Sequence, residues 1–299
     1  RITDFSLLFM KYQGNYFMKK TLIALAVAAS AVVSGSAMAW TNGNFNGSVD
    51  IGGSVTAGDN FAQKWMWATG TALNAFDGNT ADLTDTNKKL VVTANKDAAI
   101  LLGKTESAFA AKNTGSSAIP HIAFTDYKGA PVALNFAGTA DGIGSMTLPV
   151  TNTAKNTELG NVVINFTAAG IRVTGDANKT TLASLRSENG DQIFNGGLPT
   201  SANNAIAHGN AAQAFVGSMG SADGATLLTQ VQTAVPGAPA YGISTVPQVE
   251  NMVRNDGSVV AGAYAMGVKQ GQQLQLTFTN EVTQTTAWKA PLNVSVTYQ

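Results

Sequence analysis

Apolar and polar residues alternate with period two along much of the chain, and clusters of Gly, Asn and Asp interrupt the runs. In an extended backbone that period sends successive side chains to opposite faces, so each run reads as a strand with one buried face. Near one end, Phe45, Gly47, Val49, Ile51, Gly53 and Val55 alternate with Asn46, Ser48, Asp50, Gly52 and Ser54, which predicts one long strand over 40–55. Further strands are predicted over 90–94, 100–104, 119–125, 132–136, 146–150 and 162–168. Leu274, Leu276 and Phe278 carry the same period near the other end, as do Leu292, Val294, Val296 and Tyr298. Trp65 and Trp67 share one strand face by parity and read as a core pair.

The stretch from about 170 to 250 loses this pattern. Asn210 is placed to cap a helix carrying Ala211, Phe215 and Met219, stopped by Gly220. Asp223 is placed to cap a second with Leu227, Leu228, Val231 and Ala234 on one face, stopped by Pro236-Gly237. The expected fold is mainly β, an antiparallel sandwich with an inserted region containing two short helices.

Residues 18–39 read differently again. Met18-Lys19-Lys20 precedes an apolar run from Leu22 to Val33, then Ser34-Gly35-Ser36 and Ala37-Met38-Ala39. This is the basic, apolar and small-residue order of a signal peptide, too short to span a bilayer, with cleavage expected between Ala39 and Trp40. Residues 1–17 then precede the natural start and are expected to be upstream over-translation. Any codons for Gln13-Gly14 contain the AGG core of a bacterial ribosome-binding site. Removing the first 39 of 299 residues leaves 260, with 14 basic and 17 acidic side chains.

Composition narrows the chemistry. Lys+Arg and Asp+Glu both number 18, so the whole chain lacks the basic surplus of a nucleic-acid binder. There is no Cys, which excludes thiol catalysis, disulfides and thiolate metal sites, and only two His. His121 and His208 read as structural or surface residues, because no G-x-S-x-G nucleophile elbow accompanies them. Asp77, Asp82 and Asp85 lack EF-hand spacing and read as a solvated loop. No phosphate-binding loop or dinucleotide fingerprint is present. No enzymatic activity and no cofactor are expected.

Several blocks resemble a known family. They are Phe45-Asn46-Gly47-Ser48-Val49-Asp50-Ile51-Gly52-Gly53, Lys64-Trp65-Met66-Trp67, Ile100-Leu101-Leu102-Gly103-Lys104-Thr105, the run from Ile119 to Tyr127, and the run from Ala290 to Tyr298. In this order they resemble the FaeG/ClpG family of major fimbrial subunits of Gram-negative enteric bacteria. The resemblance runs from Trp40 to the C-terminus and is weakest across about 170 to 250.

That resemblance implies an incomplete immunoglobulin-like β-sandwich lacking its last strand. Residues 40–55 would be a donor strand inserted into the groove of an identical neighbouring subunit, with Phe45, Val49, Ile51 and Val55 filling pockets. Leu292, Val294, Val296 and Tyr298 would line the groove and offer an edge to a periplasmic chaperone before an outer-membrane usher assembles the fibre. At about 3.3 Å per residue, 14 residues span roughly 46 Å, the length of a sandwich groove. Burying four such side chains is worth roughly 6–12 kcal/mol gross. The protein would be exported through the periplasm to a fimbrium on the cell surface.

The resemblance also implies an adhesive role toward host glycoconjugates, carried by the stretch from Leu182 to Leu198. Arg186, Glu188, Asn189 and Phe194 are the candidate receptor-binding residues. Relatives tend to carry an aromatic residue where Arg186 stands, so this chain departs from the pattern there; Glu188 retains a carboxylate able to accept sugar hydroxyls. Two rival expectations are a purely structural pilin and an outer-membrane β-barrel. The barrel is opposed by the low charge of 12% and by the short, irregular strands.

Overall fold

The computed structural model describes residues 40–48, 52–56 and 60–299. The expected leader, the cleavage residue Ala39, and the candidate donor residues Val49 and Ile51 lie outside the described residues. In chain order the first elements are β1 (Thr41–Asn42), β2 (Asn44–Ser48), β3 (Gly52–Thr56), β4 (Trp65–Thr69), β5 (Lys89–Thr93) and β6 (Ala98–Thr105). Then come β7 (Pro120–Thr125), β8 (Asn135–Phe136), β9 (Ile143–Asn152), β10 (Glu158–Gly175) and β11 (Thr180–Leu185). Helices α1 (Gly209–Ser218) and α2 (Gly224–Ala234) follow, and β12 (Gly242–Ile243), β13 (Val259–Val268), β14 (Gln273–Phe278), β15 (Trp288–Lys289) and β16 (Asn293–Tyr298) complete the order. The fold is mainly β with two short helices, as the apolar pattern predicts.

The 18-residue strand β10 is the spine. Its first half pairs with β9 on one edge and β14 on the other. Its second half pairs with β11 and β13 in the same two positions. The halves differ in burial. Val162, Ile164 and Phe166 are buried in alternation, whereas every residue from Phe166 to Ile171 is buried. The reason is the second layer: α1 and α2 cover the far face of the second half. Phe215, Val216, Leu227 and Val231 form a separate core there with Ile171, Val173, Leu182 and the alanines of β13.

The main core lies between the large sheet and a four-stranded sheet ordered β3-β2-β16-β7. At its centre Trp65 and Trp67 meet Phe194 edge-on at 5.4 and 6.2 Å between ring centroids, and Tyr264 lies 5.3 Å from Phe194. Each polar handle is satisfied: Trp65 Nε1 donates to Ala118 O, Trp67 Nε1 to the Tyr298 hydroxyl, and the Tyr264 hydroxyl to Gly197 O. Gly103 makes the seat flat, since a Cβ there would lie 2.4 Å from the Trp67 ring. The expectation that the tryptophans pack in the core is met.

Four expectations change. The predicted single strand over 40–55 is broken into β1, β2 and β3, with β2 and β3 paired to each other from Asn44–Thr56 to Ser48–Gly52. Gly43 at φ 98° interrupts the extended run, and a strand with unpaired edge groups takes the nearest available partner. The strand expected over 132–136 contracts to β8. The region expected to be inserted from about 170 is woven into the sheet as far as Leu185, and beyond the helices β12 returns to pair parallel with β11. Finally, His208 rather than Asn210 occupies the N-cap of α1, without a side-chain bond. A boundary shift turns the helix, so Ala212 and Val216 are buried with Phe215 while Ala211 is exposed. Asp223 caps α2 as expected, its carboxylate accepting from Thr226 N at 2.8 Å.

Candidate functional site

The two ends of the described chain meet along β16. On one edge β16 pairs with β7, from Asn293–Thr125 to Tyr298–Pro120. On the other it pairs antiparallel with β2, Asn293 opposite Ser48 and Val296 opposite Phe45. Leu292, Val294 and Val296 are buried on the core side, and Phe45 is 5% exposed in the same core. Val55 belongs to β3, where its backbone pairs with Phe45. Tyr298 is held between the ends: its hydroxyl accepts from Trp67 Nε1 at 2.8 Å and donates to Gly43 O at 3.0 Å. Burial raises its pKa, with the Trp67 bond opposing. The beginning of the described chain is also tied down. Trp40 lies beneath the Lys104 ammonium at 3.8 Å, and Asn42 donates to Glu106 at 2.8 Å. Burial lowers the Lys104 pKa.

Beyond Leu292 the space between the layers stays open. A cavity of about 820 Å³ is bounded by Leu90, Ile100, Met146, Leu148, Ile164 and Phe278, among others. Apart from Ile100 on the doubly buried β6, these residues come from β5, β9, β14 and the first half of β10, where one face is buried, so alternation in the sequence supplies most of an apolar floor. The outward edge of this sheet carries an exposed Val91 at 51%.

The loop after β11 is tied to its neighbours by backbone hydrogen bonds. Arg186 N donates to Gln248 O, Ser187 N to Pro199 O, Ile193 N to Glu250 O and Phe194 N to Pro120 O. Arg186 and Glu188 form a surface ion pair: Nε and the terminal nitrogen both donate to Glu188 Oε1, at 3.0 and 2.6 Å, while another nitrogen donates to Pro247 O. Exposed Asn189 accepts from Asp191 N through Oδ1 at 2.9 Å. Phe194 departs from expectation. It is fully buried among Trp65, Trp67 and Tyr264 at φ 63°, so it has no surface to offer a receptor. The apolar core takes the ring, and Gly196 at φ 88° turns the chain where a Cβ would lie 2.0 Å from Ile122 O. His121 of β7 contacts this loop, its Nε2 2.5 Å from Gly190 O.

Next to this loop sits a polar cluster that the sequence reading missed. Glu250 is buried, and its Oε2 accepts from Arg172 at 2.8 Å and Arg254 at 2.7 Å, while Oε1 accepts from Met252 N at 2.7 Å. Burial lowers the Arg172 pKa, Glu250 opposes this, and Arg254 adds to the lowering. The available signal was Arg172 itself, a charge inside the apolar run Ile171-Arg172-Val173 that demands a buried partner. Among the described residues no His, Cys, Asp and Glu cluster is arranged to hold a metal ion. No described helix is long and apolar enough to cross a membrane.

Comparison with known proteins supplies the family. Residues 18–299 match the model of a family described as fimbrial, major and minor subunit. The chain is 47% identical over 289 residues to the K88 fimbrial protein AD of Escherichia coli, and 45% identical over 287 residues to K88 fimbrial protein AC of the same species. It is 29% identical over 297 residues to the F41 fimbrial protein of Escherichia coli. Each match covers 94% of this chain and the whole of the relative.

Proposed function

The chain belongs to the family of major and minor fimbrial subunits, and on that premise we propose that it is the major subunit of a surface fimbria, polymerised by donor-strand exchange. In this reading the chain leaves through the periplasm, and a chaperone holds β16 until an usher passes the subunit to the fibre. The segment 40–55 of one subunit then occupies the groove of the next.

The observation that carries the reading is the edge of β16. It accepts β2 antiparallel in the same chain, with Phe45 inserted into the core. Backbone and pocket therefore complement each other, and an identical segment from a neighbour meets the same edge. The sandwich is incomplete without that segment: β7 covers only the other edge of β16, and the apolar cavity lies open beyond Leu292. Leu292, Val294 and Val296 form the groove wall and Tyr298 holds its far end. With no Cys in the chain, a neighbour's strand supplies the stability a disulfide would otherwise give.

The subunit is also the adhesin in this reading, recognising host glycoconjugates beside the loop of Arg186, Glu188 and Asn189. What supports it is a hydrogen-bonded loop that exposes a carboxylate and an amide, Glu188 and Asn189, next to a polar cavity. Deleting residues 40–55 tests the polymer model: chaperone-bound subunits that do not polymerise are expected, and normal fibres would overturn it. Glu188→Ala tests adhesion: glycan binding falls while export is unchanged. Unaltered binding removes Glu188 from the site, and a fibre that binds no glycan at all is a purely structural pilin.

A further inference from the structure

We infer that Trp40 and Asn42 dock on a second station outside the β16 groove, where Lys104 and Glu106 are positioning residues that fix the register of the segment along β16. For a neighbour's segment the inference rests on the donor-strand reading above. For the chain's own segment it stands on the contacts alone.

The segment crosses from one sheet to the other around Gly43. Thr41 and Asn42 pair with Trp67 and Met66 of β4, and Gly43 N donates to Trp65 O at 3.3 Å. From Phe45 onward the chain follows β16 instead. Gly43 at φ 98° makes the crossing, and its carbonyl accepts from the Tyr298 hydroxyl at 3.0 Å. The aromatic anchors on either side therefore enter different cores. Phe45 is buried in the main core, whereas Trp40 packs against the core under α1 and α2.

Parity shows why a second anchor is needed. A slip of one residue turns every side chain to the wrong face, but a slip of two does not. In the sequence Phe45, Val49, Ile51 and Val55 share one parity with Gly47 and Gly53. Slips of two therefore still offer apolar residues to Val294 and Val296, which are buried alike. Antiparallel backbone hydrogen bonds repeat with the same period and do not discriminate either.

Trp40 and Asn42 break that degeneracy. The Trp40 ring lies under the Lys104 ammonium at 3.8 Å, and Asn42 Nδ2 donates to Glu106 Oε2 at 2.8 Å. Strands β1 and β6 both run antiparallel to β4, so they run parallel to each other, and residues 40 and 42 meet 104 and 106 in the same order. The sheet holds both positioning residues: Lys104 pairs with Met66 and Ala263, and Glu106 N donates to Lys64 O at 2.8 Å. A slip of two in one sense sets Asn42 against Lys104. In the other sense it sets the Trp40 ring against the Glu106 carboxylate, which the negative ring face repels. Together the cation–ring contact and the charge-assisted bond favour the observed register by roughly tenfold.

The test maps register with cysteine pairs in the full chain, which has no Cys of its own. Ser295→Cys is combined in turn with Asn46→Cys, Asn44→Cys and Ser48→Cys. Ser295 faces Asn46 in the observed register, and a slip of two brings Asn44 or Ser48 opposite instead. Intrachain bonds in free subunit and interchain bonds in fibres are both quantified by peptide mapping without reduction. The Asn46 bond is expected to exceed each of the other two by about tenfold. Lys104→Gln, Trp40→Leu and Glu106→Ala should each shrink that ratio severalfold, with melting temperature unchanged. Lys104→Arg keeps a cation over the ring and should retain the wild-type ratio, which a general loss of fold at this position would not allow. An unchanged ratio in Lys104→Gln, Trp40→Leu and Glu106→Ala would overturn the inference and leave the donor-strand reading intact. Fibres without an interchain bond at any of the three positions would overturn the donor-strand reading, and the intrachain ratio would still decide the register of the chain's own segment.

Discussion

Phe45→Ala isolates the contribution of the side chain that β2 inserts into the core, and with it one pocket of the proposed donor strand. Phe45 is 5% exposed, sits in the main core, and is anchored to β16 through the pair with Val296. Truncating a buried Phe to Ala costs about 3–5 kcal/mol, the sum of lost transfer energy and an unfilled cavity. Taking the lower end of that range gives about 3 kcal/mol. At about 1.4 kcal/mol per factor of ten, the ratio of docked to undocked segment falls roughly 100-fold. The figure is the same whether the groove belongs to the same chain or to a neighbour, because the pocket is the same. The assay is denaturant-induced dissociation of purified fibres, read as released subunit, with limited proteolysis of the segment as an independent probe. Fibres should dissociate at clearly lower denaturant and the segment should be cut faster. Wild-type dissociation and cleavage profiles in Phe45→Ala would refute the claim that this side chain anchors the strand.

Other predictions follow from the same contacts. In this Cys-free chain, Asn46→Cys with Ser295→Cys places two thiols in register across β2 and β16; directly opposed strand residues have Cα atoms about 4.5–5.5 Å apart, within disulfide reach. Non-reducing gels should show an intrachain bond in free subunit and a ladder in fibres, and fibres without a ladder would contradict exchange. Tyr298→Phe removes the bond to Gly43 O and leaves Trp67 Nε1 without its acceptor. It should cost about 1–3 kcal/mol and show as faster cleavage near Gly43. Phe194→Ala opens a cavity at the centre of the aromatic cluster. A loss of about 3–5 kcal/mol is expected, with a melting temperature lower by roughly 10 °C in calorimetry. Glu250→Gln leaves Arg172 and Arg254 sharing a neutral partner, and destabilisation of about 3–5 kcal/mol by chemical denaturation is expected.

What could be read from the sequence follows from how many faces of each element are covered. Strands β5, β9, β14 and β16 each bury one side, so their alternation survives as an apolar stripe and marks both the walls of the apolar cavity and the strand β16. Strand β13 buries nearly every residue from Val259 to Val268, and β10 does so beyond Phe166. Two-sided burial erases the period, and close contact with α1 and α2 selects Ala and Gly, which look like loop composition. The same cause hid the true extent of the sheet past residue 170 and made the helices look like a separate insertion. Phe194 misled for a related reason. Beside Asn195, Gly196 and Gly197 an aromatic residue reads as a loop tip, yet those residues are what lets the chain turn sharply enough to push the ring into the core. The polar cluster was the least legible. Arg172, Glu250 and Arg254 come from a strand and a loop up to 82 positions apart, and the loop is held in place by the Leu185–Gln248 and Ala111–Val253 bridges. The β16 edge is thus legible in local alternation, whereas the Glu250 cluster depends on contacts between residues far apart in the chain.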